Sequence, residues 1–254
     1  MSKLGAFHSS WYSIEHAKRH IRNLETEVSI FFSTNPYSFV TESNADGTED
    51  IHKIKLTKPM PAGLSGITFD AINNLRSSLD QAGYAVAVAT GRSGKNAHFP
   101  FGDTAADVNA CEKRRSKHLP KQIFDLMVSF KPYRGGNDLL WAMNKLCNSQ
   151  KHELIIPVAT YTGNMDLLIG RIETGSKPFT FPPRWNSAKN EMVIAQVPYG
   201  SECKFDFQYQ VFIAFNDVEC ILGQPVIPIL NKMLGIVDGI VMALEAEAKR
   251  IDIL

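Results

Sequence analysis

The sequence predicts a mixed α+β fold, a bundle of four amphipathic helices with an antiparallel sheet inserted before the last of them. Three observations predict it. Apolar residues recur at three- and four-residue steps in four long stretches, the signature of helices with one buried face. Between the third and fourth stretches the period changes to two. The short apolar runs of that region have no helical pattern between them, so nothing there supplies the crossovers that parallel strands require.

The first helix is predicted from Ser10 to Ser33, with Ile14, Ala17, Ile21, Leu24, Val28 and Phe31 as its stripe and Asn35–Pro36 as its stop. Tyr37 to Thr57 alternates about the turn Asn44–Ala45–Asp46–Gly47, a hairpin pattern. The second helix is predicted over Leu64–Ala89, on Leu64, Ile67, Ala71, Leu75, Leu79, Ala82 and Val86, with Thr90–Gly91 ending it. Thr104 to Phe130 reads as two helical pieces split near Pro120. The third major helix is expected from Asn137 or Asp138 to His152. Leu154–Ala159, Leu167–Ile172, Met192–Val197 and Phe205–Phe215 read as strands, the last presenting Phe205, Phe207, Tyr209, Val211 and Ile213 to one buried face. The last helix starts near Pro225 on Val226, Leu230, Met233, Val237, Ile240, Val241 and Leu244. The expectation is one α+β domain over 1–254, with the bundle at 10–152 and 225–250 and the β-rich insertion at 154–215, which the 37–57 hairpin joins.

At 254 residues, 44% apolar and 21% charged, the chain has ordinary globular composition. A net charge of +1 offers no global attraction for nucleic acid or membrane. The basic run Lys113–Arg114–Arg115–Ser116–Lys117–His118 is the one local exception, and its plain reading is a solvated helix face. The four cysteines form no CxxC pair, which argues against a disulfide framework or a zinc ribbon and for a reduced, cytoplasmic setting. The most apolar window, Val226 to Leu244, is interrupted by Pro228, Asn231, Lys232 and Asp238, so no membrane span is expected.

Two polar helix faces carry the candidate chemistry. On the second helix, Asn73, Arg76 and Asp80 share a face, since steps of three and four bring side chains together. A guanidinium held by a carboxylate suits a phosphate or another anion. Its plainer reading is an i, i+4 pair of modest worth. On the third helix, Asn144, Asn148 and His152 share a face, and Lys151 adjoins. A histidine beside a lysine supplies proton transfer and an electrostatic clamp. The alternative is two cations complementing a helix C-terminus. The stretch Gly91–Arg92–Ser93–Gly94–Lys95–Asn96 fails as a phosphate loop, because Ala89 and Asn96 stand where a glycine and a serine or threonine are needed. His16 and His20 are spaced i, i+4 without the glutamate of a zincin, so no metal or cofactor is expected.

Leu75–Arg76–Ser77–Ser78–Leu79–Asp80, Phe99–Pro100, Lys131–Pro132–Tyr133, Leu140–Trp141 and Asn148 with Lys151–His152 resemble, in this order, a bacterial family with LRSALDH and NxDKHR motifs. The resemblance runs from the first helix to Pro157. Its first motif is similar to the Arg–x4–His form of the HEPN superfamily, helical bundles that include RNA-cleaving toxins and defence proteins. Gln81 stands at the place of that histidine, and Glu153 at that of the arginine. The resemblance implies a HEPN-like bundle and a metal-independent ribonuclease: Arg76 binds the phosphate, His152 moves protons, Asp80, Asn148 and Lys151 position or neutralise, and the site is composite across a homodimer. The alternative is a non-catalytic binding or regulatory module on the same bundle. Either way, Arg76, Asp80, Asn148 and His152 are expected to meet where the second and third helices cross.

Overall fold

A computed structural model describes residues 5–148, 154–169, 172–173, 185–186 and 189–254. It is mixed α+β with antiparallel sheets. The chain forms two compact units, each discontinuous in sequence. Unit 1 comprises Met1–Glu27, Ala62–Ile155 and Phe215–Leu254, and unit 2 comprises Val28–Pro61 and Ile156–Ala214.

Unit 1 is helical. It holds α1 (His8–Ser33) as far as Glu27, then α2 (Gly63–Ala89), α3 (Ala105–Ala110), α4 (Lys121–Ser129), α5 (Asp138–Asn148) and α6 (Val226–Arg250). The predicted stripes are its core: Ile14, Ala17, Ile21 and Leu24 of α1, Leu75, Leu79, Ala82 and Val86 of α2, and Val237, Ile240, Val241 and Leu244 of α6 are all buried. Each such aliphatic side chain contributes about 1.5–3 kcal/mol of burial. The second helix is central, packing on α5, α6 and the 3-10 turn Gly94–Asn96. The first and last helices run antiparallel: Trp11 Nε1 donates to Glu245 at 2.9 Å, Lys18 faces Asp238 at 4.0 Å, and Asn231 donates to Glu25 at 3.4 Å. These partners step by seven in opposite directions, the repeat at which two helices keep one seam. Pro228 falls in the first turn of α6, where no intrahelical N–H is lost.

Among the described residues α6 is the one helix long and apolar enough to cross a membrane by length and composition. Only Lys232 and Asp238 are charged between Val226 and Leu244, and the apolar stripe of this helix is buried within unit 1. The region 104–130 differs from expectation. Its first helical piece breaks off at Lys113, and the run from Arg114 to Leu119 is a loop rather than a helix face. Four like charges within five residues oppose a helix there, since neighbours at i, i+3 and i, i+4 repel. The expected last turn of the third helix, with Lys151 and His152, lies outside the described residues, and α5 is described to Asn148.

Unit 2 holds two antiparallel sheets. One has the order β1 (Tyr37–Ser43), β2 (Glu49–Leu56), β6 (Glu191–Pro198), β5 (Trp185–Asn186), so the hairpin does join the later strands, through β2 and β6. The other has the order β4 (Ile172–Glu173), β3 (Ile155–Ile169), β7 (Glu202–Phe215). The expected strand Leu154–Ala159 and the start of Leu167–Ile172 thus fall on one 15-residue strand, β3, while Ile172 belongs to β4, which pairs back on it. The hairpin turn forms as its residues dictate: Asn44 Oδ1 accepts from the Thr48 and Glu49 amides at 2.9 and 3.1 Å, and Gly47 takes φ 70°. Ile54, Met192 and Ile194 form the core of the first sheet, with Tyr37, Trp185 and Val211 packed on it. At the end of β7, Ile213 is buried as expected and Val211 partly so, Ala214 and Phe215 are both buried, and the side chains of Phe205, Phe207 and Tyr209 lie outside the described residues.

Candidate functional site

The polar face of α2 meets α5 as expected, but with different partners. Arg76 Nε donates to Asn144 Oδ1 at 3.1 Å. Its Nη1 lies 2.5 Å from Asp80 Oδ2, yet outside hydrogen-bond alignment, so this contact is one of charge. The Phe101 ring lies under the guanidinium, 4.3 Å from its carbon, a cation–π contact. The Arg76 side chain is only 18% exposed. Asn148, expected in the cluster, is instead exposed on the last turn of α5, where its amide donates to the Asn144 carbonyl at 2.8 Å. The step from 144 to 148 is one helical turn, and the inner of the two reaches the arginine. Lys151 and His152 lie outside the described residues.

A histidine the motif reading passed over stands beside Asp80. The carboxylate accepts from the Phe99 backbone amide at 2.9 Å through Oδ1, and His98 Nδ1 is 3.5 Å from Oδ2. Asp80 therefore faces a guanidinium, an imidazole and a backbone amide at once. His98 is 46% exposed while its main chain is pinned: its amide donates to the Arg115 carbonyl at 2.9 Å, and its carbonyl accepts from Ser116 Oγ at 2.8 Å. The local cause is Gly83, one turn along α2. A Cβ at Gly83 would fall 2.0 Å from the Ala97 carbonyl oxygen, so only glycine lets the 97–99 segment reach the helix. A glycine inside a helix costs about 1 kcal/mol against alanine, and such a position was the sequence signal for close approach.

Two further groups border the cluster. Burial pushes the Cys147 thiol up to about 11, with Arg76 opposing the shift and Asp80 adding to it, so the thiol is neutral at physiological pH and not a nucleophile. Asp103 accepts from Trp141 Nε1 at 2.8 Å and pairs with Lys145 Nζ at 2.7 Å, and the hydrogen bonds from Lys145 and Trp141 hold its carboxyl below the usual range. Gln81 sits on the α1 side of α2, where its Oε1 accepts from Ser13 Oγ at 3.4 Å, and with Ser9, Tyr84 and Val88 it lines a cavity of about 440 Å³. A histidine at position 81 would face that cavity and α1. Among the described residues no group of three His, Cys, Asp or Glu side chains is placed to hold a metal ion.

No family model, no curated protein and no solved structure matches the chain.

Proposed function

We propose that the chain is a HEPN-like ribonuclease acting without a metal ion. The observation that carries this reading is the convergence of Arg76, Asp80 and the half-exposed His98 on one face of α2. The reaction is an internal transesterification. A base takes the 2′-hydroxyl proton, that oxygen attacks the phosphorus, and the bond to the 5′ oxygen breaks as an acid protonates it. The products are a 2′,3′-cyclic phosphate and a 5′-hydroxyl. His98 is the candidate proton carrier: with Nδ1 on the Asp80 side its Nε2 is left for substrate, and closing the 3.5 Å gap would let the carboxylate fix the imidazole tautomer. Arg76 carries the charge that develops on phosphate, through the Nη2 hydrogens that Asn144 and Asp80 leave over. His152 beside Lys151 is the candidate for the second proton transfer, and Asn148 lines the approach. Homodimerisation and a cytoplasmic setting belong to the same proposal.

The test is incubation of purified protein with single-stranded RNA in EDTA, reading for 2′,3′-cyclic ends. Loss of proton transfer slows the chemical step ~100- to 10,000-fold, so His98→Ala and His152→Ala should each reduce cleavage on that scale with the fold intact. An inert wild type sinks the proposal. A second reading, a non-catalytic binding module, is favoured by one observation: the Arg76 guanidinium is engaged by Asn144, Asp80 and Phe101 and is largely buried, as in a structural clamp. Under that reading His98→Ala changes no activity.

A further inference from the structure

Two stretches that mean little separately in the sequence become one surface in the fold. The segment 91–98 and the loop 113–118 are laced together. His118 donates its amide to the Asn96 carbonyl at 3.0 Å, its Nδ1 meets the Ser93 carbonyl at 2.6 Å, and Arg92 Nη1 donates to the His118 carbonyl at 3.4 Å. The His98–Arg115 and His98–Ser116 bonds close the other end. Arg92, Lys95, Lys113, Arg114, Arg115 and Lys117 are thereby gathered, all exposed. Neither stretch contains an aspartate or glutamate. Among the described residues none of the six cations has an ion-pair partner, and the neighbouring Glu112 is held by Lys121 at 3.3 Å. Since the whole chain is only +1, the rest of it is net acidic, and this face is a concentrated exception.

We infer that this laced basic face is a track for the phosphate backbone of single-stranded RNA, ending at His98, with Tyr84 as a stacking platform for a base. Six unpaired cations on a surface attract a polyanion by counterion release and select no base. An exposed aromatic beside such a surface is what single strands add to that attraction, because an unpaired base offers its ring face. Tyr84 has this placement: it is 56% exposed, one turn beyond Asp80 on α2, and its ring lies against Gly94 so closely that a Cβ there would fall within it. Neither stretch carries a large exposed hydrophobic residue of its own, so Tyr84 is the ring this face offers, suited to a stacked base. The strand's end point is chemical, for His98 belongs to the 91–98 segment and faces Asp80.

The choice of RNA rests on the proposed function, whereas the location of the track rests on the surface itself. The experiment is fluorescence anisotropy with a labelled, uncleavable 2′-O-methyl oligonucleotide of roughly ten nucleotides, about one site size, across a salt series. Wild type should bind, with the slope of log affinity against log salt rising by about 0.7 per phosphate contacted. The variant R114E/R115E/K117E should bind roughly tenfold or more weakly, its slope reduced by about 2. The control R19E/R22E, on α1, should bind as wild type. Tyr84→Ala should weaken binding about tenfold with the slope unchanged, and Tyr84→Phe should restore it. If the charge reversals unfold the protein, R114Q/R115Q/K117Q should still show the reduced slope. Wild-type slope and affinity in either triple variant overturn the inference, as do absence of binding at low salt and preference for anionic phospholipid vesicles over RNA. Binding without cleavage would sink the ribonuclease proposal and leave the track standing. Cleavage unimpaired in the triple variant would do the reverse.

Discussion

Each unit holds an ion pair, buried in one and half-buried in the other, and the two pairs are built on opposite terms. In unit 2, Lys53 of β2 donates to Glu42 at 2.7 Å and to both oxygens of Glu191 at 3.2 and 3.3 Å. The strand register produces this. Ile51 pairs Glu42 and Lys55 pairs Glu191, so Lys53 sits diagonally from both carboxylates. Lys53 at 9% and Glu191 at 6% exposure are shut in, the ammonium spending its hydrogens internally, while Glu42 is 43% exposed and gives its other oxygen to Lys55. In unit 1, Asp80 is 29% exposed and shares its carboxylate with an imidazole that reaches solvent. The exposed member of the sheet cluster, Glu42, has both oxygens taken by lysines, whereas the exposed member of the helix cluster, His98, has a ring nitrogen beyond the one that faces Asp80. Burial of charge alone therefore says little about function; what separates the two is whether the exposed member of the cluster keeps a group that a ligand can address.

The comparison breaks most visibly if Lys53→Met proves mild. It leaves Glu191 buried without its cation, and an orphaned charge of this kind costs about 3–5 kcal/mol, measurable by urea unfolding. Lys53→Met with Glu191→Leu should recover most of that loss, since the isostere removes the uncompensated charge. Arg76→Met should cost less, about 1–3 kcal/mol, because Asp80 keeps the Phe99 amide and water; equal losses at the two sites would dissolve the distinction. The pH dependence sharpens it. Glu42 and burial act oppositely on Lys53, with the hydrogen bond to Glu42 the stronger, so its ammonium is held above the ordinary lysine value. A raised folded-state value means stability is fully present below the ordinary lysine pKa of about 10.4 and is lost as pH rises through the folded one. Alkaline unfolding should show this loss in wild type and not in Lys53→Met. The smallest effect is expected from Gln81→His. It restores the Arg–x4–His spacing, yet position 81 faces Ser13, so RNA cleavage should stay within about twofold of wild type.

The helices were legible because their stripes are long and each apolar position repeats the same message; Leu75, Leu79 and Val86 are buried where periodicity places them. Arg76 and Asp80 were legible as a pair for the same reason, being one helical turn apart. Their outside partners were not. Asn144 and Asn148 present the same side chain one turn apart, and which of them reaches Arg76 depends on where two helices cross. His98 lies 18 residues from Asp80 in a segment without periodicity, and its arrival depends on the missing Cβ of Gly83. The basic loop misread as a helix face shows the same limit: its structure comes from hydrogen bonds to residues 93–98, which no local pattern encodes.

The seven-residue register between α1 and α6 has a consequence in time. Trp11 and Glu245 are 234 positions apart, so α1 is completed by a helix synthesised long after it. At ordinary translation rates of about 5–20 residues per second, α1 waits for roughly ten seconds or longer before its seam can close. Until then its apolar stripe has no α6 to lie against, and nascent chains are exposed to misassociation for that interval. The antiparallel pairing also brings the start of α1 and the end of α6 to the same end of unit 1. A circular permutant joining them through a short loop, opened at the Asn44–Gly47 turn, would make this seam local and part the β1–β2 hairpin, whose strands would become its ends. Since the hairpin is the more extensive pairing of the two, loop closure would then cost more entropy, and refolding should be slower at unchanged architecture.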